Sequence, residues 1–417
     1  MRSYFLLLLS AAVLLGQPSP GDVFREYRYT SDMIVELDPG SKREDPRLLM
    51  RRSISHRERS LDVYDLEDAV RAEVSLEFWG GHLGTSDQKF KVNGANWIQI
   101  PQIAGTPGDP RCFHRMLPGT VHAAIPLAAL KQGRNSFEFR AGPQTCHGFD
   151  WGIYKVYSFI VRVYYNASKP HPTGRISSQA ANGVIGDMPV IEAVTEGSNG
   201  DTTKTEFTPG AVNRVEFVGL YDDFNWEGDG QSRQWHYQTE QGVMKRHIGT
   251  VTEAPFRVTW DNRWIPDQDS PLQLAARVTN VHGVTYMTQP VPVRLVRAGR
   301  SVKMFKAAEI PEAFGVRAGK RMTCNIPVTA NPLAASAARL AVSTWAGNHA
   351  DAIGLNDHKI INRIGKEDYY SYDLVPFDPK ILQKGANAFY IFSNTVQHAA
   401  EINWPGPAVL LEFKTKP

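Results

Sequence analysis

Apolar and polar residues alternate with a period of two along most of this chain, and Gly, Pro, Asn and Asp break the alternation at short intervals. AEVSLEFW, SFEFR, FIVRVYY, RVEFVGLY, PFRVTW, LQLAARV, RLAVSTW, AFYIFS and AVLLEF all read as strands. No stretch carries the spacing of a long amphipathic helix. Short strands separated by turn residues predict an all-β protein of sandwiches or jelly rolls rather than βαβ units.

Comparing the chain with itself divides it. AEVSLEFWGGH (72 to 82) matches ARLAVSTWAGN (338 to 348), aligning Trp79 with Trp345 and Gly81 with Gly347. LKQGRNSFEF (130 to 139) matches LQKGANAFYI (382 to 391), keeping Leu, Gly, Asn and Phe at the same offsets. Each copy continues through a histidine and a tryptophan, His147 and Trp151 or His398 and Trp404, into a closing apolar strand. Several matches in one order predict two related β domains, about 23–168 and 301–415. The segment KPHPTGR, just after the first of these domains, reads as a linker, because its prolines cannot donate to a sheet ladder.

Residues 172–297 resemble the bacterial Ig-like domains of exported multidomain proteins, through VNRVEF, the pair GTVTEAPFRVTWD and the closing LAARVTNVHGV. The Trp/Gly strand ends followed by LxxGxNxF are similar to the galactose-binding-like jelly rolls of many carbohydrate-binding modules. That resemblance implies a fold more strongly than a ligand. In it, Leu130 and Leu382 enter the core, Gly133 and Gly385 turn the chain, and the following Phe re-enters the sandwich. The expected architecture is therefore two related jelly-roll β-sandwiches flanking an Ig-like β-sandwich.

Composition narrows the function classes. At roughly 100–200 residues per domain, a chain of 417 residues fits three domains. A net charge of +3, with no basic cluster interleaved with aromatics, gives no footprint for nucleic acid. MRSYFLLLLSAAVLLGQPSP has the layout of a cleavable secretory signal over residues 1–17 and is short for a membrane span, so a secreted or periplasmic protein without a membrane span is expected. In an oxidising compartment Cys112 and Cys146 are candidates for a disulfide, although three separate thiols fit the sequence equally.

Candidate chemistry falls in three places. The stretch YDDFNWEGDGQSRQWHY (221 to 237) is inserted where an Ig-like domain needs only a short hairpin. Its Asp223, Asn225, Glu227 and Asp229 place oxygens at alternate positions with Gly228 and Gly230 interleaved, which suits a β-loop calcium site; a solvated acidic hairpin and catalytic carboxylates are the alternatives. The closing acid of a helix-loop-helix calcium hand is missing, since Gln234 and His236 stand at the twelfth positions of the two registers. Trp226 and Trp235 in the same loop either cover a sandwich edge or offer a face to a sugar. In the first sandwich Trp79, His82, His147, Asp150 and Trp151, and in the last Trp345, His349, Asp357, His398 and Trp404, form two sets of aromatic and polar residues at strand ends. Each set could bind a saccharide, or could be core and turn residues. Zinc on His349, Asp357 and His358 or His398 lacks any short fixed ligand spacing.

No GxSxG, HExxH, GxxxxGK[ST] or strand-to-helix GxGxxG occurs. Two functions are expected from these features: a non-catalytic carbohydrate-binding or adhesion protein, or a carbohydrate-active enzyme (glycoside hydrolase, polysaccharide lyase or amidase) built on the double jelly roll. Both take a glycan or polysaccharide as partner; the oligomeric state is not encoded in any pattern found.

Overall fold

The computed structural model describes residues 16–40, 57–102, 112, 116–146, 152–177, 183–196, 211–228, 230–396 and 398–414. It is all-β, and its described helical turns are short 3-10 turns such as Leu127–Ala129 and Gly347–His349. Most of the expected secretory signal, and His147, Asp150, Trp151 and Asp229 among the candidate site residues, lie outside the described residues.

The first sandwich contains β1 (Val23–Tyr29), β2 (Ile34–Leu37), β3 (Arg59–Val63), β4 (Ala69–Trp79), β5 (Lys89–Val92), β6 (Ile98–Gln99), β7 (Met116–Ile125), β8 (Gly133–Arg140) and β9 (Ile153–Tyr165). The middle domain contains β10 (Thr173–Ile176), β11 (Val184–Ile185), β12 (Val190–Glu196), β13 (Val212–Asp222), β14 (Arg233–Trp235), β15 (Gln238–Glu240), β16 (Val243–Lys245), β17 (Gly249–Val251), β18 (Arg257–Thr259), β19 (Leu272–Asn280), β20 (Val284–Met287) and β21 (Val291–Leu295). The last sandwich contains β22 (Arg300–Lys306), β23 (Gly315–Val316), β24 (Lys320–Val328), β25 (Ala335–Trp345), β26 (Ala352–Leu355), β27 (His358–Ile361), β28 (Tyr370–Phe377), β29 (Gly385–Ser393), β30 (Ala400–Ile402) and β31 (Ala408–Lys414).

The two outer sandwiches have the same strand order. Sheets β1-β9-β4-β7 and β3-β8-β5-β6 of the first correspond to β22-β31-β25-β28 and β24-β29-β26-β27 of the last. Their cores follow from the alternation: Val74, Leu76, Phe90, Phe137 and Phe139 pack in one, and Leu340, Val342, Ile353, Phe389 and Ile391 in the other.

The asparagine of LxxGxNxF explains the motif. Asn135 donates to the carbonyls of Lys131 (2.8 Å) and Gly133 (2.7 Å) and accepts from the Lys131 amide (2.9 Å). Asn387 does the same to Gln383 (2.9 Å), Gly385 (3.0 Å) and the Gln383 amide (2.9 Å). A second asparagine joins each: Asn93 donates to Asn135 (2.8 Å) and Asn356 to Asn387 (2.7 Å). Both second asparagines sit at positive φ, +50° and +48°, a conformation Asn tolerates. Buried polar groups held this way satisfy the turn that leads into β8 or β29 without water.

The repeated glycines after the tryptophans have a steric cause. A Cβ on Gly81 would lie 1.5 Å from the Ile153 carbonyl oxygen, and one on Gly347 would lie 2.3 Å from Thr344 Oγ1 and 2.7 Å from the Ile364 carbonyl. Only glycine allows either backbone to approach so closely.

In the middle domain, β10-β12-β18 faces a second sheet in which β11, β21, β19, β13 and β17 follow one another, with β11 parallel to β21. That is an Ig-like arrangement, with a core of Val215, Phe217, Leu272, Leu274 and Trp260. Strand β20 pairs with β19 on one edge and with β1 on the other, so a single sheet runs from the middle domain into the first sandwich (Val23 opposite Tyr286). The insertion, 223–247, carries β14 and the β15-β16 hairpin.

Candidate functional site

The tryptophans that the self-comparison aligned meet each other. Trp79 at the end of β4 and Trp345 at the end of β25 stack with ring centroids 4.5 Å apart and 12° between planes, where the two outer sandwiches touch. The Lys155 ammonium lies 5.3 Å and 5.1 Å from their centroids and 3.2 Å from Asp368 Oδ1. Trp345 Nε1 donates to the Tyr157 hydroxyl (2.8 Å). Glu77 accepts from Ser158 (2.5 Å), Tyr370 (2.7 Å), the Gln241 amide (2.8 Å) and Tyr369. Glu401, opposite Trp345 in the ladder, is buried; burial pushes its carboxyl up to about 8 against the pull of the Trp79 indole and the Lys155 charge.

Trp79 and Trp345 are thus structural, which corrects the expectation that they floor sugar sites: they are 5% and 2% exposed, and a ring with both faces covered offers no stacking surface. His398 packs edge-on to Trp345 at 5.7 Å with Nε2 3.6 Å from Asp368, and belongs to the same contact. His349 is partly buried with Nε2 3.8 Å from Glu367. His82 is half-buried, its backbone amide donating to the Ile153 carbonyl (3.1 Å). Asp357 stands apart, exposed in the turn between β26 and β27 and paired with Arg321 at 2.5 Å.

The inserted loop is a second correction. Trp226 is 4% and Trp235 7% exposed. Phe224 and Trp226 pack on the outer face of the last sandwich against Val302, Ala341, Ala408 and Leu410, with Tyr372 stacked on both. Trp235 packs with Phe24, Tyr164, Tyr237 and Met244 toward the first sandwich. Both faces are taken by protein, because the loop is wedged between the two jelly rolls instead of projecting into solvent.

Oxygens of Asp223, Asn225 and Glu227 are engaged within the loop. Asp223 Oδ1 accepts from the Phe224 amide (2.7 Å) and Asn225 Oδ1 from the Gly228 amide (3.0 Å). Glu227 Oε1 lies 2.6 Å from His236 Nδ1, while His236 Nε2 lies 2.9 Å from the Tyr221 carbonyl. With an acceptor at each ring nitrogen, His236 carries both protons. Burial alone would lower its pKa, but Glu227 and then Asp223 raise it to about 9. Among the described residues no three His, Cys, Asp or Glu side chains gather as a metal shell. Glu227, a candidate calcium ligand by sequence, is paired with His236.

Sequence reasoning had no signal for the ionic layer beneath the first sandwich. Arg162 reaches Glu26 (2.9 Å) and Glu73 (2.5 Å), and Arg277 of the middle domain reaches Glu26 (2.8 Å), all nearly inaccessible. Burial alone would raise Glu26, yet the two arginines hold it well below the usual carboxylate range. Cys112 and Cys146 form a disulfide, and Cys324 is a buried free thiol.

One cleft is lined by residues singled out in the sequence, Asn225 and Trp404 among them. It measures about 610 Å3 and lies between the inserted loop (Asn225, Gly230, Ser232) and the last sandwich (Lys306, Glu309, Glu312 and Trp404 among its lining). Trp404 is half-buried, unlike Trp79, Trp345, Trp226 and Trp235. Glu309 holds a positive φ of +56°, an unfavourable conformation for a residue with a Cβ.

No family model matches this chain, and no curated protein matches it. Solved structures with partial similarity include a beta-porphyranase of glycoside hydrolase family 86 from Bacteroides plebeius (13% identity, 49% of this chain and 31% of that one, TM-score 0.22). Others are fibronectin(III)-like modules of Clostridium thermocellum CbhA (12%, 54% and 97%, 0.18) and a b-glucuronidase from Ruminococcus gnavus (10%, 74% and 52%, 0.22). This chain spans about a third of the porphyranase's length. Among the described residues no helix is long and apolar enough to cross a membrane.

Proposed function

We propose that this chain is an exported, non-catalytic saccharide-binding protein whose site is the cleft between the inserted loop and the last sandwich. The observation that carries the reading is that Asn225 and Trp404, singled out in the sequence for separate reasons, line the same cleft. Its volume falls within the span of small-ligand sites. A half-exposed indole presents a flat apolar face that matches the C–H face of a pyranose, and Lys306, Glu309 and Glu312 supply groups that hydrogen-bond to ring hydroxyls. The apolar run at the N-terminus supports export.

Affinity electrophoresis against a panel of neutral and acidic polysaccharides tests this. Retention on at least one glycan is expected, with a loss of about tenfold or more in Trp404→Ala, roughly the free energy of one stacking platform. Unchanged retention in that variant sinks the cleft. The enzyme reading rests on Glu309 and Glu312 sharing the cleft, since glycoside hydrolysis uses two carboxylates. Release of reducing ends or unsaturated products from the retained glycan, abolished by Glu309→Gln or Glu312→Gln, would replace binding by catalysis.

A further inference from the structure

A second surface of the first sandwich has a composition that its twin lacks. On sheet β3-β8-β5-β6, Phe90, Val92, Phe137 and Phe139 point into the core, so Lys89, Lys91, Glu138 and Arg140 point outward. Half-buried Trp97, from the turn between β5 and β6, lies over them. Lys91 Nζ is 4.7 Å, Lys89 Nζ 5.3 Å and Arg140 Cζ 5.6 Å from its ring centroid. Two carboxylates neutralise part of this charge: Glu138 contacts Lys91 (2.9 Å) and Arg140 (3.0 Å), and Asp87 contacts Lys89 (2.5 Å). Three cations against two anions leave one positive charge in excess around the indole.

The ladder register sets two of these cations face to face. Lys91 stands directly opposite Glu138, a favourable pair, but Lys89 stands directly opposite Arg140. Like charges on facing rungs destabilise a sheet. The shared architecture gives an internal control. Asn93 and Asn356 fix the alignment, and the rung equivalent to Lys89 and Arg140 holds Ala352 and Phe392, while that of Lys91 and Glu138 holds Gly354 and Tyr390. The fold therefore needs no cations at these positions.

We propose that the Trp97 face is a binding site for an acidic polysaccharide, with a sugar ring on the indole and a carboxylate or sulfate between Lys89 and Arg140. An anion there relieves the like-charge rung, and a second saccharide site on a separate domain adds multivalency to the cleft. The site stands independently of the cleft.

The test uses the full chain with polygalacturonate, dextran sulfate and neutral dextran in affinity gels. Retention on at least one acidic polymer and none on dextran is expected; which polymer is retained separates carboxylate from sulfate recognition. Trp97→Ala and Arg140→Gln should each weaken retention about tenfold or more, the scale of a desolvated cation or aromatic contact. Lys359→Gln removes an equal charge from an exposed position of the last sandwich and should change it less than about twofold. Arg140→Gln removes the like-charge rung together with the half-exposed ion pair to Glu138, so it should melt within a few degrees of the parent and the loss of retention is not a loss of fold. Trp404→Ala should leave acidic-polymer retention in place, so failure here and failure of the cleft are distinguishable. Equal losses in Lys359→Gln and Arg140→Gln, unchanged retention in Trp97→Ala, or displacement by a DNA duplex as efficient as by the acidic polymer would overturn the proposal and leave only net charge.

Discussion

The two jelly rolls repeat each other strand for strand, yet the sheet each turns toward the inserted loop is built from opposite materials. On β1-β9-β4-β7 the covered face carries Glu26, Glu73, Glu77, Lys155 and Arg162; on β22-β31-β25-β28 it carries Val302, Ala341, Ala408 and Leu410. One insertion covers both. It presents Tyr237, Gln241 and Met244 to the ionic face and Phe224 and Trp226 to the apolar one. The contrast teaches that duplication conserved the interior, where packing is unforgiving, while the outer faces diverged to fit different neighbours.

The contrast can be broken from either side. Replacing Arg162 with Leu takes one of two buried arginines from Glu26 and leaves Glu73 with the more distant Arg71, and should cost about 3 kcal/mol in denaturant unfolding, the low end for removing one partner of a buried ion pair. That penalty should shrink as pH falls and Glu26, short of one arginine, takes up a proton. Trp226→Ala should cost about 3 kcal/mol, the low end for truncating a buried aromatic, with little change across pH, because the seat it leaves is apolar. If the two losses respond to pH alike, the ionic and apolar description is wrong.

A smaller effect tests the similarity rather than the difference. Asn135→Ala and Asn387→Ala should each cost about 1–3 kcal/mol, since each orphans the same buried amide and carbonyls. The two costs should match and add in the double variant, the sites being in separate sandwiches. Unequal costs would mean that the shared latch is not doing the same job.

The pH dependence of stability gives a separate readout. His236 has a folded pKa raised to about 9, so its contribution is complete below the ordinary histidine value and fades as pH rises through about 9. Glu401, raised to about 8, is bound to a proton in the folded state where the unfolded chain has lost it, which also makes stability fall with rising pH until about 8. His122, held near 4 mainly by burial, acts in the opposite sense but only below the ordinary histidine range. The melting temperature should therefore drop steadily from about pH 6.5 to pH 9. His236→Gln should flatten the upper part of that slope and Glu401→Gln the lower part.

Much of this architecture was legible because it is periodic. The strands announced themselves by alternation, and the LxxGxNxF and Trp/Gly matches identified the twin sandwiches, since the asparagine latch and the tight glycine approach need those residues wherever the fold recurs. The role of the tryptophans was not legible. A strand-end indole reads the same whether it faces a sugar, solvent or a second domain, and only assembly put Trp79 on Trp345. The loop at 221–237 is hard to read for a related reason: alternate acids suggest a cation, and nothing local reveals that His236 is folded back onto Glu227. The Trp97 cluster has no local sequence signal, because its three cations come from two strands and meet it through the register.

The ladder between β1 and β20 has a consequence for biogenesis. Residues 23–25 emerge early from the ribosome, but the strand that completes their outer edge, around 284–286, appears after more than half the chain has been made. Until then the first sandwich presents a bare row of amides and carbonyls, the kind of border that recruits stray strands from other molecules. Docking of β20 onto β1 is therefore the step that closes this border.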